Sequence, residues 1–296
     1  MAATVIVEAA LNGATTKRHN PRVPCGVDEI VDDAIACLDA GASVIHNHND
    51  EAVIGGAARH DPAPYAAAWR RIRARYPDVI CYPTMAGGGA GVDIATRYAH
   101  IESLAASRDL DLGLVDPGTT NIGRFDREGL PLPVSTVYQN TYADAVHMVE
   151  TCRRHGVGLS VSIFEPGFVR VIRAYADAGR LPPGTFVKFY FGGPRAGFGL
   201  PPTARALDAY LEMIEGTGLP WLVSVQGGDV VGCGLARLAI ERGGHLQVGL
   251  EPSADAVRSN RALVEEAVDL VERCNARAAT CAQARSIIGL PERTRA

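Results

Sequence analysis

Two histidines stand one residue apart at the end of an apolar run, in "GASVIHNHNDE" (41–51). In extended chain, residues i and i+2 lie on one face, so His46 and His48 would converge on one point. A metal site asks for that convergence and a packed core rarely does. The alternative is two surface histidines in a turn rich in Asn and Asp. A carboxylate that could complete such a site ends a second buried-type strand, "HLQVGLE" (245–251), at Glu251. Two His and one carboxylate form a common set for catalytic zinc, with a fourth position left for water or substrate. The same set also suits iron, cobalt or manganese.

Those residues need a frame that brings positions 46 and 251 together. Strand-like runs at 4–10, 42–46, 78–84, 110–116, 158–164, 185–191, 220–225 and 245–251 alternate with helix-period segments. The helices are expected at 27–41, within 64–76, near 91–105, near 142–155, at 166–179, 203–216 and 230–242, and from about 258 to 274, with a short extra helix near 280–288. Eight βα units in one chain of 296 residues predict an α/β fold of the TIM (β/α)8 type, a single domain over 1–296. A doubly wound open sheet is the other reading, but "ALNGATTKRHN" after the first strand carries no GxGxxG. In a closed barrel the first strand lies between the eighth and the second, so Glu251 reaches across to His46 and His48.

Composition narrows the class. The net charge is −4 with no basic block, which gives no reason to expect nucleic acid or an anionic membrane as partner. No stretch approaches 18 uncharged apolar residues, and the N-terminal segment has no basic n-region. Seven cysteines without a CxxC pair read as reduced thiols, so a soluble cytoplasmic protein is expected.

Active sites of barrels sit at the C-terminal ends of the strands. Two glycine-rich loops fall there, "PTMAGGGAG" (83–91) and "FGGPRAGFG" (191–199), whose amides could hold a carboxylate or phosphate. Thr84, Gly87, Gly88, Lys188 and Arg195 are candidate substrate contacts, and ordinary turn glycines are the alternative. A lysine at a strand centre, as in "FVKFY", is costly to bury unpaired and calls for a partner such as Glu8 or a ligand.

The chain resembles the β-keto acid cleavage enzymes over nearly its whole length. "ALNGATT" (10–16), "AGASVIHNH" (40–48), "GTTNIG" (118–123), "GGHLQVGLE" (243–251), "SNRALVEEAV" (259–268) and "ATCAQARSIIGL" (279–290) carry the resemblance. It implies a TIM barrel, a homotetramer, and zinc held by His46, His48 and Glu251. The implied reaction is a Claisen-type exchange in which a β-keto acid and acetyl-CoA give acetoacetate and a new acyl-CoA. Zinc-barrel hydrolysis or lysis by metal-bound hydroxide, or metal binding without catalysis, are the alternatives.

The departures are local. Family members follow the metal-binding Glu with Asp-Asn, the Asp serving with an arginine; here Pro252 and Ser253 follow Glu251. Thr15, Ser160 and Ser162 stand where the family has acids. Thr84 replaces a serine and keeps its hydroxyl. A pocket without those acids favours a neutral or anionic substrate over an amine, with Lys188 or Arg195 as carboxylate partners. Proton transfer then falls to Asp229 first, with Asp116, Glu8 and Glu165 as further candidates; a cap or a buried structural acid is the alternative for each.

Overall fold

The computed structural model describes residues 2–13, 15–49, 61–85, 92–133, 136–253 and 255–291. Eight parallel strands form the centre: β1 Val7–Ala10, β2 Val44–Asn47, β3 Ile80–Pro83, β4 Leu112–Val115, β5 Gly158–Ile163, β6 Phe186–Gly192, β7 Trp221–Gln226 and β8 His245–Val248. They are ordered β3-β2-β1-β8-β7-β6-β5-β4, a nearly closed TIM barrel. Their outward residues, among them Val161, Phe189, Val223 and Leu246, are fully buried against the helices. That burial explains why the strands read as near-continuous apolar runs rather than as alternating ones.

The helices are α1 Gly26–Asp39, α2 Pro62–Arg75, α3 Ile94–Ala106, α4 Tyr142–His155, α5 Pro166–Asp177, α6 Ala204–Ile214, α7 Leu235–Glu241, α8 Asn260–Arg273 and the extra α9 Cys281–Ile288. Starts are capped as the sequence permits: Asp61, Asp93, Thr141, Thr203, Ser259 and Thr280 each accept a backbone N–H of the first turn. None of these helices is long and apolar enough to cross a membrane.

The barrel closes across β3 and β4 by side chains. No backbone ladder joins these two strands among the described residues. Instead the Asp111 carboxylate, 4% exposed, accepts the Cys81 amide at 3.2 Å and the guanidinium groups of Arg73 at 2.7 Å and Arg285 at 2.8 Å. Higher up the seam, the Tyr98 hydroxyl donates to the Leu114 carbonyl at 2.8 Å. Arg285 belongs to α9, so the extra helix is a clamp on the bottom of the seam.

The expected elements are present with three differences. The first strand is broken: Thr4–Val5 pairs with Arg277–Ala278 beneath the barrel, and only Val7–Ala10 enters the central sheet. The last strand stops at Val248, because Gly249 turns at φ 130° and a Cβ there would lie 2.1 Å from the Ala10 carbonyl oxygen. The helix expected over 230–242 begins at Leu235, because Asp229 caps a separate turn ahead of it and Gly234 enters the helix at φ 84°. A further pairing, Thr120–Asn121 with Val137–Tyr138, rises from the loop after β4 with no periodicity to announce it.

Candidate metal centre and active site

Register explains the convergence at the barrel mouth. His46 lies beside Ala10 of β1 and Tyr82 of β3, and Gln247 of β8 lies beside Glu8 of β1. With a side-chain period of two, His46 and His48 face inward from β2. The Gly249 turn then swings Glu251 across the short β1 toward them. The His46 Nε2 lies 3.1 Å from one carboxylate oxygen of Glu251 and the His48 Nε2 lies 3.4 Å from the other. One ligand atom from each of the three falls within 4.8 Å of the others.

These side chains fit a divalent ion. The His48 Nε2 and the Glu251 Oε2 are buried without a hydrogen-bond partner, although donor and acceptor atoms crowd together there. Buried polar atoms left unpaired in a tight cluster of good ligands are what a metal satisfies. Burial pushes the Glu251 carboxyl up, but the two facing imidazoles more than offset this and hold it well below the usual range.

Each of the three side chains is held from behind. The His46 ring stacks on Tyr82 at 4.5 Å between centroids, with its Nδ1 3.3 Å from the Tyr82 carbonyl. His48 is held through its main chain: the Asn12 side chain accepts its N–H at 2.8 Å and donates to its carbonyl at 3.1 Å. Asn47, between them, accepts the Trp69 indole N–H at 2.9 Å. Behind Glu251, Gly13 sits at φ 53°, where a Cβ would fall 2.1 Å from the Glu251 Cγ. Asn260 ties the two loops, accepting the Leu250 amide and donating to the Leu11 carbonyl.

Beneath the ligands runs a buried polar chain. Lys188 donates to the Tyr82 hydroxyl at 2.7 Å; Tyr82 donates to Glu8, which also accepts Gln247 at 2.6 Å. Lys188 and Glu8 are fully buried, with Nζ and Oε1 3.9 Å apart. The strand-centre lysine therefore has the carboxylate partner its burial requires, through a tyrosine two residues ahead of Thr84.

The remaining candidates are placed as follows. Thr84 is buried at the top of β3, where its carbonyl takes the His100 Nε2 at 2.7 Å. Gly87 and Gly88 lie outside the described residues. Arg195 is exposed on the loop after β6 and its carbonyl accepts the Phe125 amide. Asp116, on the inner face at the top of β4, accepts the Tyr138 hydroxyl at 2.5 Å, and its second oxygen is buried and unpartnered. Burial raises its carboxyl, against the hydrogen bonds and the nearby charges of Lys188 and Arg97. Glu165 accepts from Thr120 at 3.0 Å and from the Gly199 amide at 3.3 Å, tying two loops together.

Asp229 caps the turn after β7, accepting the Val231 and Gly232 amides at 2.9 Å, and pairs with Arg258 at 3.0 Å. Partial burial pushes its carboxyl up, but those amides and the guanidinium hold it below the usual range. It faces a cleft of about 650 Å³ between the loops after β6, β7 and β8, lined also by Gly193, Gly228, Cys233 and Ser253.

Sequence reasoning did not single out Asn12, Gly13, Tyr82, Phe164 or Tyr190. The Asn-Gly pair after the first strand was the available signal for the first two, since it marks a tight turn. The inward period of two marks Tyr82 and Tyr190.

A profile of the beta-keto acid cleavage enzyme family matches residues 4–290. The chain is 29% identical over 292 residues to a 3-keto-5-aminohexanoate cleavage enzyme of Fusobacterium nucleatum subsp. nucleatum, covering 97% of this chain and 98% of the relative. It is 26% identical over 297 residues to a 3-oxoadipate:acetyl-CoA acetyltransferase of Cupriavidus necator, covering 97% and 95%. Among solved structures, a binary complex of ObcA with oxaloacetate superposes with a TM-score of 0.66 at 16% identity, over 91% of this chain and 68% of that one, a likeness of fold.

Proposed function

The chain belongs to the beta-keto acid cleavage enzyme family, and on that premise we propose that it transfers the acyl group of a β-keto acid to the CoA of acetyl-CoA, with zinc or another divalent ion held by His46, His48 and Glu251. In the balanced reaction the C2–C3 bond of the keto acid and the acetyl–sulfur bond break. A new acyl–sulfur bond and the C–C bond of acetoacetate form. Relatives named as acetyl-CoA transferases support the acceptor. The convergence of the two His Nε2 atoms on the Glu251 carboxylate is the single observation that carries the metal assignment.

A divalent ion in that site supplies Lewis-acid polarisation of a carbonyl oxygen where negative charge develops. The chain's residues do the rest. Asn12, Tyr82 and Gly13 fix the three ligands, so the centre is organised before substrate arrives. The Lys188–Tyr82–Glu8 chain is a rigid floor beneath it. Thr84, at the top of β3, and Arg195, on the loop after β6, are the proposed substrate contacts; Gly87 and Gly88, proposed with them, lie outside the described residues. For the proton, Asp116 is better suited than Asp229. A carboxyl raised by burial exchanges protons closer to neutrality, whereas one held down by two amides and a guanidinium is a weak base. Asp229 then serves as the anchor of the β7 loop. The protein would work in the cytoplasm as a homo-oligomer, in line with the family.

Mass spectrometry of protein incubated with acetyl-CoA and a panel of β-keto acids tests this reading. New acyl-CoA together with acetoacetate is expected, lost in His48→Ala and slowed in Asp116→Asn. Release of products without any acyl-CoA would instead indicate hydrolysis or lysis, and no conversion of any acid would overturn the reading.

A further inference from the structure

Opposite the metal ligands the barrel mouth is aromatic. His46, His48 and Glu251 occupy β2 and β8 with β1 between them, so the tops of β4, β5 and β6 form the facing wall. The inward alternation on β5 runs Ser160, Ser162, Phe164, and on β6 Lys188, Tyr190. Phe164 stacks on Tyr190 at 4.8 Å and 28° between ring planes. It meets Tyr138 edge-on at 6.2 Å and Phe198 edge-on at 5.8 Å. Phe164, Tyr138 and Phe198 are half-buried, which leaves part of each ring open to contact. Tyr190 links this wall to the metal side: its hydroxyl is pushed up by burial first and then by the charges of Glu251 and Glu8.

The carboxylates near this wall each hold a loop partner. Asp116 holds the Tyr138 hydroxyl, and Glu165 holds Thr120 and Gly199. Lys188 lies behind the wall, fully buried, with its Nζ 5.5 Å from the Tyr190 centroid. Faces of aromatic rings can also hold a quaternary ammonium group. Here, however, a buried ammonium already occupies one face of Tyr190, and Phe164 packs against its neighbours instead of opening into a cage. A charged distal group placed against these rings would exchange water for mainly apolar contacts, a cost that an alkyl or phenyl group does not meet.

We propose that the Phe164–Tyr190–Tyr138–Phe198 wall selects β-keto acids whose acyl substituent is uncharged and apolar, an alkyl chain or a phenyl ring. This rests on the β-keto acid reading above, and it assigns Phe164, at the centre of the cluster, as the main specificity-determining residue.

Calorimetry on the protein as purified tests the wall without requiring turnover. The probes are hexanoate, 6-aminohexanoate, adipate and carnitine, unreactive acids that share a carboxylate and differ at the distal end. Hexanoate is expected to bind at least about tenfold more tightly than each charged probe. Phe164→Ala is expected to erase most of that preference. Phe198→Ala, which changes a loop residue, is expected to reduce it and serves where Phe164→Ala does not fold. Equal or tighter binding of 6-aminohexanoate, adipate or carnitine would overturn the proposal, as would a preference unchanged in both variants. In the parallel turnover assay, conversion of charged β-keto acids in preference to apolar ones would overturn the proposal while leaving the proposed reaction standing. Failure to convert any acid, with hexanoate still preferred in binding, would overturn the reaction and leave the wall assigned.

Discussion

The side-chain amide of Asn12 grips the main chain of His48 from both sides, accepting its N–H at 2.8 Å and donating to its carbonyl at 3.1 Å. Asn12 also accepts the Gly13 amide and donates to the Pro24 carbonyl, so one buried residue sets the height of the β2 loop relative to β1. Asn12→Ala would leave the His48 N–H unpaired and its carbonyl with the Asn47 amide alone, and would let the imidazole drift. Loss of such outer support lowers metal affinity by about 10–100-fold. Titration of the apo protein with zinc against a competing chelator measures it, and unchanged affinity would show that His48 is fixed by other means.

Gly13 is the cradle of the Glu251 side chain. Gly13→Ala costs about 1–3 kcal/mol for the left-handed backbone, and its methyl would drive the Glu251 side chain away from the histidines. Gly26 is the control: it sits at φ 73° with nothing within 4 Å of its Cβ position. Gly26→Ala should lose stability alone, whereas Gly13→Ala should lose stability and metal affinity together. Denaturant melts and metal titrations on the two variants separate these effects.

The barrel seam depends on one carboxylate. Asp111 is flanked by Arg73 and Arg285, whose side chains are 10% and 8% exposed. Asp111→Ala would remove the carboxylate that both guanidinium groups and the Cys81 amide share, leaving Arg285 only the Pro291 carbonyl. Removing one partner of a buried ion pair costs about 3–5 kcal/mol, which should appear as a marked fall in Tm. A variant that melts with the parent would mean that β3 and β4 are held by packing alone.

Two buried groups oppose each other in acid. Burial raises Asp33, against the Asn260 hydrogen bond, from 3.8 to about 6. Its contribution is fully present below pH 3.8 and is lost as pH rises through 6. Burial lowers His245 from 6.5 to about 4. Its neutral ring accepts the Ile6 amide, so its contribution is present above pH 6.5 and is lost as pH falls through 4. At 1.36 kcal/mol per pH unit, His245 accounts for about 3 kcal/mol and the half-buried Asp33, after solvent screening, for about 2. Stability of the parent should therefore be nearly level between pH 4 and 6.5. Asp33→Asn should be more stable at pH 7 and should lose stability steeply on acidification; a level profile in that variant would contradict the assignment.

The eight strands, the order of the helices and the convergence of His46, His48 and Glu251 were legible because each has a local signature. The strands are continuous apolar runs, and the HxH spacing fixes a face. Barrel closure then leaves Glu251 one neighbour away. What was not legible depends on contacts between distant loops. The aromatic wall sets Tyr190 of β6 against Phe164 at the top of β5, Phe198 of the loop after β6 and Tyr138 of the unannounced pairing after β4. Glu8 was foreseeable as a partner of Lys188, but the Tyr82 hydroxyl between them was not, since it arrives from across the barrel. Asp229 reads in sequence either as a proton-transfer acid or as a cap; the fold reveals the two amides it caps and its partner Arg258.

The metal centre is the premise on which the rest stands, and element-resolved mass spectrometry of protein purified without chelators tests it most directly. About one divalent ion per chain is expected in the parent, as for a three-residue site with an open fourth position, with its loss in both His48→Ala and Glu251→Gln. A parent protein free of divalent metal, or the same metal content in all three proteins, would contradict it.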